Sequence, residues 1–359
     1  MTTTDPLTQH LDHKKFHMPA EWEPHSAMWL SWPHNYKHWN CWLEDSTSAK
    51  KYQKVLDAYC EAMHVMQESE AVHLLVNDEA MEHQVRERLL KLRFRSDNLK
   101  FFHIKTNVPW TRDHGPIFVK NATGEIAITD WIFNAWGGKY PPWEDDDAVP
   151  TNIGHKLNIP VFNPGIVLEG GSIDVNGKGT LLTTTSCLLN KNRNPNLTKE
   201  QIEQHLKDYL GVTNILWLGE GIVNDDTDGH IDDLARFVNP TTVVCVKEDN
   251  PKDPNYKFLK DNFAQLEKMK DQDGKPLTII PLPMPNPVIY VNEQMPASYT
   301  NFYIGNKIVL LPTFRQPKDE IAKNILQKLF PNRKIIGVDA YDVIWGQGSW
   351  HCLSQQQPA

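Results

Sequence analysis

Apolar residues recur at helical spacing along several stretches of the chain. Between residues 46 and 68 the apolar positions lie three or four apart, as on one face of an α-helix: Tyr52, Val55, Leu56, Tyr59, Ala62 and Met63. Further helices are predicted over residues 78–92, 199–210, 255–269 and 318–329. Residues 71–76 form a mostly apolar run, which predicts a buried strand. Helices and strands therefore alternate, as they do in an α/β protein.

A second unit recurs between these helices, in which a polar cluster is followed at once by two short apolar runs joined at a turn. Four copies are clear, with predicted hairpins over residues 117–129, 173–184, 235–246 and 302–311. A fifth copy fits the chain length if its strands come from the two termini. If the units repeat around an axis, the polar clusters meet at one shared centre. Because hairpins are common, chance similarity is the alternative explanation.

Charge and hydropathy narrow the possible partners. The 359 residues carry 37 Lys and Arg against 45 Asp and Glu, a formal net charge of −8. Nucleic-acid binders carry a basic face, so this balance argues against such a partner and allows small cationic ligands. No apolar run reaches the roughly 18 residues of a membrane helix, and residues 1–13 are too polar for a secretory signal. We therefore expect a cytoplasmic protein without a membrane partner.

The positions of the tryptophans predict a docked segment, and those of the cysteines exclude several metal and disulfide motifs. Residues 1–45 hold five of the twelve tryptophans in a non-periodic run, which predicts an irregular segment docked on the core as part of a pocket wall: Trp22, Trp29, Trp32, Trp39 and Trp42. The five cysteines lie far apart and form no C-x-x-C pair: Cys41, Cys60, Cys187, Cys245 and Cys352. This spacing argues against a zinc ribbon, a dithiol motif or a disulfide framework. Most of them are expected to be inert core residues.

The polar clusters, together with the C-terminal tail, supply residues that can carry chemistry: Asp113, Glu169, His230, Asp232, Asn301 and Cys352. Each has a structural explanation when taken alone, since Asp113 could close a turn and His230 could be a satisfied core histidine. His230 and Asp232 form an H-x-D pair, whose side chains share a face if the segment is extended. The sequence contains neither a metal motif such as H-E-x-x-H nor a phosphate loop such as G-x-G-x-x-G. Metal and nucleotide chemistry are therefore disfavoured.

A cysteine nucleophile is the chemistry that remains. A free thiol is mostly protonated at pH 7, and neighbouring carboxylates make its ionisation harder. A cysteine nucleophile beside several carboxylates can work if the substrate itself brings a positive charge. A guanidinium is planar and cationic, and its fork of N–H donors pairs with carboxylates. Several carboxylates around one cysteine and one histidine thus suggest an enzyme that acts on a guanidine.

These residues lie in segments that resemble the agmatine deiminases, within the wider guanidino-group-modifying family that includes arginine deiminases and bacterial peptidylarginine deiminases. The similar segments run nearly end to end, over residues 18–25, 110–116, 168–172, 221–225, 227–232, 296–303 and 351–358. The resemblance implies a five-bladed, pseudo-symmetric α/β propeller, the pentein fold, with ββαβ-type repeats around a central active site. It also implies a single catalytic domain over residues 1–359, no metal or organic cofactor, and a homodimer.

The resemblance further implies roles for individual residues. Cys352 would be the nucleophile and His230 the general acid and base, while Glu169 orients His230 and favours its protonated form. Asp113 and Asp232 would grip the guanidinium. The implied reaction hydrolyses agmatine through a covalent thiouronium to N-carbamoylputrescine and ammonia, a step towards putrescine.

Four further positions bear on the substrate. Trp110 and Asn301 match family positions that line the pocket, by packing and by hydrogen bonding. Trp350 departs from the family pattern before the His-Cys pair, and its bulk is expected to reshape the pocket as a substrate-binding residue. Asp174 replaces a histidine that the family often has, which is expected to alter the charge near the far end of the substrate.

Other substrates and functions stay open. No arginine is evident for a substrate carboxylate, which favours agmatine. Deimination of free or peptidyl arginine to citrulline is the alternative within the enzyme class. A non-catalytic polyamine or carbohydrate binder that uses the Trp-rich segment is the hypothesis from a different class.

Overall fold

The structure is a computed structural model that describes residues 11–39, 46–92, 94 and 96–359. Its strands, in chain order, are β1 Phe16–His17, β2 His25–Ser31, β3 Ala71–Val76, β4 Leu99–His103, β5 Ile117–Asn121, β6 Ile126–Thr129, β7 Val161–Phe162, β8 Asp174–Val175, β9 Thr180–Thr184, β10 Asn214–Leu218, β11 Ala235–Asn239, β12 Thr242–Lys247, β13 Thr278–Pro283, β14 Ile289–Tyr290, β15 Glu293–Gln294, β16 Tyr303–Ile304, β17 Ile308–Thr313, β18 Lys334–Asp339 and β19 Ser354–Pro358. The predicted strand at residues 71–76 is confirmed as β3.

The helices include all five that the apolar spacing predicts. In chain order they are α1 Ser46–Met66, α2 Glu79–Lys91, α3 Thr111–His114, α4 Ala135–Gly138, α5 Glu144–Asp147, α6 Val149–Leu157, α7 Thr185–Leu188, α8 Lys199–Leu210, α9 Tyr256–Leu266 and α10 Lys318–Leu329. Among the residues described, none of these helices combines the length and hydrophobicity needed to cross a lipid bilayer.

Capping residues explain where two of the predicted helices begin and where one of them ends. The Thr198 hydroxyl accepts a hydrogen bond from the Gln201 backbone N–H, and the Thr198 N–H donates to the Gln201 side chain. This capping box begins α8, and Gly211 ends it at a φ of 65°, which glycine adopts without strain. Asp78 begins α2 by accepting from the backbone N–H of Met81.

Five sheets share one connectivity, an antiparallel strand pair followed by a helix and a parallel strand. Four of them are β5–β6–β7 with α6, β8–β9–β10 with α8, β11–β12–β13 with α9, and β16–β17–β18 with α10. In the fifth, the C-terminal strand β19 pairs antiparallel with β2, and α1 connects β2 to the parallel strand β3. The four predicted hairpins and the fifth unit shared between the termini are therefore confirmed. Five repeats of one pattern also argue against chance similarity.

The Trp-rich segment is more regular than predicted. His25–Ser31 forms strand β2, which lies between β19 and β3 in a four-stranded sheet. Six of its seven residues are buried, so the strand lacks the polar alternation that would have indicated it. The side chains of Trp29 and Trp32 are buried, as expected of docked tryptophans, whereas Cys41 and Trp42 lie outside the described residues.

The long helices pack on the faces of the sheets, and two of them contact strands of two sheets, β10 and β12 for α9 and β13 and β18 for α10. Ile202, Leu206 and Leu210 of α8, for example, share a hydrophobic cluster with Val175 and Leu181 of the adjoining sheet. The short turns that precede the hairpins contact one another: Thr111–His114 lies against Gly170–Ser172, which lies against Ile231–Asp233. The fold therefore brings together polar clusters that are far apart in sequence.

Leu206→Ala is expected to lower the free energy of unfolding by about 2–5 kcal/mol, because the leucine is fully buried and its removal leaves a cavity. Chemical denaturation followed by circular dichroism measures the change. Leu90→Ala is the matched control, since Leu90 is also helical but is 76% exposed, and its cost should stay within about 0.5 kcal/mol. Equal costs for the two variants would contradict the packing described for α8.

Candidate active site

Gly171 marks the point at which three predicted site residues converge. A methyl group at its Cα would lie 2.5 Å from His230 Nδ1, 2.8 Å from Asp113 Oδ1 and 3.1 Å from Asp232 Oδ2. The Gly171 backbone N–H also donates to Asp113 Oδ1 at 3.0 Å. Glycine is needed here because any side chain would displace these groups.

Cys352 lies beside the same carboxylates and is held by an amide. Asn301 Nδ2 donates to Cys352 Sγ at 2.9 Å and to Asp233 Oδ1 at 3.0 Å. Asp232 Oδ2 lies 3.5 Å from the sulfur. Burial, followed by the charges of Asp232, Asp233 and Asp113, raises the pKa of the Cys352 thiol well above its usual value, against the opposing hydrogen bond from Asn301. The sulfur is therefore a thiol in the empty site.

His230 is fully buried, and its ring lies among Asp113, Glu169 and Cys187. Its Nδ1 lies 3.6 Å from Asp113 Oδ1. A carboxylate oxygen of Glu169 and the sulfur of Cys187 each lie within 4.8 Å of a His230 ring nitrogen. Burial alone would lower the pKa of His230, but Asp113, Cys187 and Glu169 outweigh it and raise the pKa well above the usual value. The protonated ring is suited to give a proton to a leaving group.

Asp113 is fixed by donors on both oxygens. Besides the Gly171 N–H on Oδ1, the indole Nε1 of Trp136 donates to Oδ2 at 3.0 Å. Trp136 adopts a left-handed backbone with a φ of 55°, which is unusual for a bulky residue and is common where a site imposes a geometry. Burial raises the pKa of Asp113 to about 6, His230 opposes the shift, and Asp232 adds to it.

Asp232 keeps one oxygen unpaired although it is fully buried. Its Oδ2 accepts from His351 Nδ1 at 2.7 Å, while Oδ1 has no hydrogen-bond partner among the described residues. Burial by itself raises the pKa of Asp232, but the hydrogen bond and charge of His351 hold it below its usual value. A buried carboxylate oxygen without a donor indicates where a ligand donor can bind.

A narrow cleft leads to these groups. Its described lining consists of His38, Trp110, Asp113, Trp136, Asp226, Thr227, Gly346, Gln347, Gly348 and Cys352. Trp110 and Trp136 provide apolar walls, and Trp110 Nε1 donates to His38 Nε2 at 2.5 Å. Burial lowers the pKa of His38 to about 4, which leaves that nitrogen free to accept the bond. Neither lysine nor arginine occurs in this lining, whose acidic groups are Asp113 and Asp226.

The structure brings together most of the predicted site residues, namely Asp113, Glu169, His230, Asp232, Cys352, Asn301 and Trp110. Glu169 lies near His230 but is paired with Arg193 Nε at 2.8 Å, so it acts on the ring through its charge. Asn301 is absent from the lining of the cleft and binds the sulfur of Cys352 instead of facing the space for a substrate.

Two expectations about the pocket are corrected. The Trp350 ring is buried in the main hydrophobic core, and its Nε1 donates to the Val338 carbonyl at 3.1 Å, so it faces the core rather than the cleft. Asp174 pairs with Arg236 Nε at 2.8 Å and accepts from the Phe237 backbone N–H. Both residues are held by neighbours from other parts of the chain, which spacing cannot reveal.

Sequence reasoning missed several residues of the site: His38, Trp136, Cys187, Arg193, Asp226 and Asp233. Asp226 and Asp233 carried a signal, because they adjoin the polar segment around His230. His38 lies in the Trp-rich segment that was expected to form a pocket wall. Trp136 and Arg193 gave no signal, since their roles come from contacts with Asp113 and Glu169.

Two buried groups have the donor atoms of a metal site. The atoms of Glu169, Cys187 and His230 lie within 4.8 Å of one another, as do those of Asp232, Asp233 and Cys352. Arg193 donates to Glu169 Oε1 in the first group, and Asn301 donates to Asp233 Oδ1 and Cys352 Sγ in the second. Glu169 Oε2 and Asp232 Oδ1 have no hydrogen-bond partner among the described residues.

Comparisons with known proteins agree with this geometry. The model of the Porphyromonas-type peptidyl-arginine deiminase family matches residues 17–358. The agmatine deiminase of Ectopseudomonas mendocina is 37% identical, with 96% of each chain covered. The agmatine deiminase of Enterococcus faecalis superposes with a TM-score of 0.88 at 33% identity, covering 100% of this chain and 98% of the other.

A second solved structure, a cysteine-to-serine variant of the C. jejuni agmatine deiminase with substrate bound, gives a TM-score of 0.84 at 33% identity over 96% of both chains. The α/β fold is thus that of the agmatine and peptidyl-arginine deiminase structures. Because the family model and these relatives extend over nearly the whole chain, the chain belongs to the Porphyromonas-type peptidyl-arginine deiminase family.

Proposed function

We propose that this chain hydrolyses the guanidinium group of agmatine to N-carbamoylputrescine and ammonia, with Cys352 as the nucleophile. The observation that carries the proposal is the convergence of one thiol, one imidazolium and the carboxylates of Asp113 and Asp232 at a cleft without lysine or arginine in its described lining. The agmatine deiminases among its relatives cover 96% or more of this chain, which supports the same reaction.

The guanidinium binds where the negative charge is in excess. Asp113 and the unpaired Oδ1 of Asp232 accept its N–H donors, which turns the central carbon towards the Cys352 sulfur. The bound cation also offsets the carboxylates that suppress thiol ionisation. The thiol proton then leaves to solvent, so the substrate itself activates the nucleophile.

The chemistry follows in two halves. The Cys352 thiolate forms a C–S bond to the guanidinium carbon, which gives a neutral tetrahedral intermediate. One C–N bond then breaks as His230 gives its proton to the departing nitrogen, leaving ammonia and a cationic thiouronium on Cys352. Neutral His230 next takes a proton from water, hydroxide attacks the same carbon, and the C–S bond breaks to restore the thiolate. The remaining hydroxyl proton converts ammonia to ammonium, and the product is a substituted urea.

The cleft favours agmatine over arginine. Trp110 and Trp136 offer apolar walls to a tetramethylene arm, and the half-buried Asp226 offers a carboxylate to a distal ammonium. An α-carboxylate would meet Asp226 without a compensating cation in the described lining. The alternative substrate, free or peptidyl arginine, is favoured by the name of the matching family model and by two similar solved structures that are named as an arginine and a peptidyl-arginine deiminase.

The repeats support a finer account of the fold. Five sheets with the same connectivity, together with contacts among the polar turns that precede three of the hairpins, support a five-bladed propeller around a central active site. We infer that residues 1–359 form one catalytic domain, because the last strand β19 pairs with β2 near the start of the chain. Assembly as a homodimer stays a prediction.

The first test measures turnover and adduct formation together. Purified protein should release ammonia and N-carbamoylputrescine from agmatine, with kcat/KM higher than for arginine or a C-terminal arginine peptide. Cys352→Ala should abolish turnover, since Cys352 contributes the thiol in the described lining of the cleft. Quenched wild-type enzyme should carry a substrate adduct on Cys352 by mass spectrometry. Binding without adduct or product would favour the non-catalytic binder, and turnover by Cys352→Ala would refute the mechanism.

The pH dependence should report two carboxyl groups of the cleft, Asp226, whose pKa burial raises to about 7, and Asp113. The Asp113 pKa of about 6 means that the carboxylate is charged above this pH and neutral below it, so kcat/KM for agmatine should fall as the pH drops through about 6. Asp113→Asn should lower kcat/KM by roughly 100-fold or more and remove this limb, because the amide does not titrate. An unchanged acid limb in Asp113→Asn would assign it to another group.

Asp226→Asn should raise the KM for agmatine roughly tenfold while kcat changes little, because the distal ammonium is bound equally in the ground and transition states. Butylguanidine, which lacks the amine, provides the matched control and should show the same kcat/KM with both enzymes. A KM for agmatine that does not move would exclude Asp226 from amine recognition.

A further inference from the structure

His351 lies between two buried carboxylates next to the nucleophile. Its Nδ1 is 2.7 Å from Asp232 Oδ2, and its Nε2 is 2.9 Å from Glu21 Oε2. An ionised carboxylate oxygen can only accept a hydrogen bond, so both ring nitrogens donate. His351 therefore lies where its ring can donate a hydrogen bond to each of two buried carboxylates and carry positive charge between them.

Glu21 ties this pair to a longer chain of alternating charges. Glu21 also binds Arg236, whose Nε donates to Asp174 at 2.8 Å, and the other oxygen of Glu21 accepts from the Ile304 backbone N–H at 2.6 Å. The charges alternate from Asp174 through Arg236, Glu21 and His351 to Asp232, and all five side chains are buried. This series of charged side chains ends at Asp232, the carboxylate that faces the proposed guanidinium site.

Asp232 needs such support because its surroundings oppose its charge. Atoms of Asp232, Asp233 and Cys352 lie within 4.8 Å of one another, and Asp232 is fully buried. A carboxyl in this position would take up a proton unless a cation lies close to it. His351 holds Oδ2 and leaves Oδ1 unpaired.

We propose that His351 is a positioning residue of the deiminase reaction, which keeps Asp232 ionised and aims its free oxygen at the guanidinium while Glu21 anchors the opposite ring nitrogen. This inference rests on the proposed function. The His351 side chain is not among the described residues that line the cleft, and it binds Asp232 directly, so its effect passes through Asp232.

The electrostatics of the neighbouring groups agree in direction. Burial by itself raises the pKa of Glu21, but Arg236 and His351 hold it well below its usual value, and His351 is the main group that lowers the pKa of Asp232. The titratable or charged groups that surround the Asp232–His351 pair are Glu21, Arg112, Asp113, His230, Asp233, Arg236 and Cys352. His351, the nearest of the cations to Asp232, donates to its Oδ2 directly.

The test compares His351→Gln with the wild type. Glutamine can still donate one hydrogen bond to Asp232 but carries no charge, so the pKa of Asp232 should rise. The KM for agmatine should then increase and kcat/KM at pH 7 should fall roughly 10- to 100-fold, the range of a lost charged hydrogen bond. The acid limb of kcat/KM should begin at higher pH and become steeper, because Asp232 then titrates in addition to Asp113, whose own pKa is about 6.

His25→Gln is the matched control. His25 Nδ1 lies 2.8 Å from Glu70 Oε2 in an equally buried pair that does not line the cleft. Both histidine variants should lose stability in thermal denaturation, but His25→Gln should keep the wild-type KM and acid limb. If His351→Gln also keeps the wild-type KM and acid limb, the role of His351 is structural and the inference is overturned.

Glu21→Gln provides a second variant should His351→Gln fail to fold. It weakens the anchor of His351 without altering a group at the cleft, and it should move the KM and the acid limb in the same directions by a smaller amount. A folded Glu21→Gln enzyme with wild-type values would overturn the inference. Absence of agmatine turnover by the wild-type enzyme would instead refute the proposed function, so the two failures are distinguishable.

Discussion

The central constraint on this protein is an excess of buried negative charge beside a thiol. Asp113, Asp232 and Asp233 all act on Cys352, and in the empty site they favour the protonated sulfur. Such an arrangement is costly for a folded protein and useful for a cationic substrate, which relieves the repulsion when it binds. In the proposed mechanism the same charges bind the substrate and make the reactivity of the thiol depend on its presence. A thiol that ionises only with a guanidinium in place is also protected from other electrophiles.

Arginines and an amide outside the cleft stabilise the buried carboxylates, and the cleft itself stays negatively charged. Arg193 pairs with Glu169, and Arg236 pairs with Glu21 and Asp174, so the cations lie behind the carboxylates rather than in the cleft. Asn301 supplies hydrogen bonds to Asp233 and Cys352 without adding charge. Because the compensating groups come from different repeats, the site exists only when the units are assembled around it.

Much of the fold could be predicted because it is encoded locally. The periodic apolar faces of α1, α8 and α10 and the turns of the four hairpins are visible in short windows of sequence. Strand β2 was not predicted as a strand, since it is buried on both faces and shows no alternation. The resemblance to a known family supplied roles for Cys352 and His230 that spacing alone left open.

The sequence by itself determined the chemical class of the site: a cysteine, a histidine and an unusual supply of acids in recurrent turns indicate a guanidine as substrate. Only the tertiary structure decided which side chains face the cleft. In the folded chain Trp350 packs in the core, Asn301 donates to the Cys352 sulfur, and Asp174 pairs with Arg236. Trp136 donates to Asp113, and His351 binds Asp232. The physical reason is that residue type and local pattern fix what a side chain can do, whereas its direction and its charge state depend on neighbours from distant segments, which only the packed chain brings within hydrogen-bonding distance.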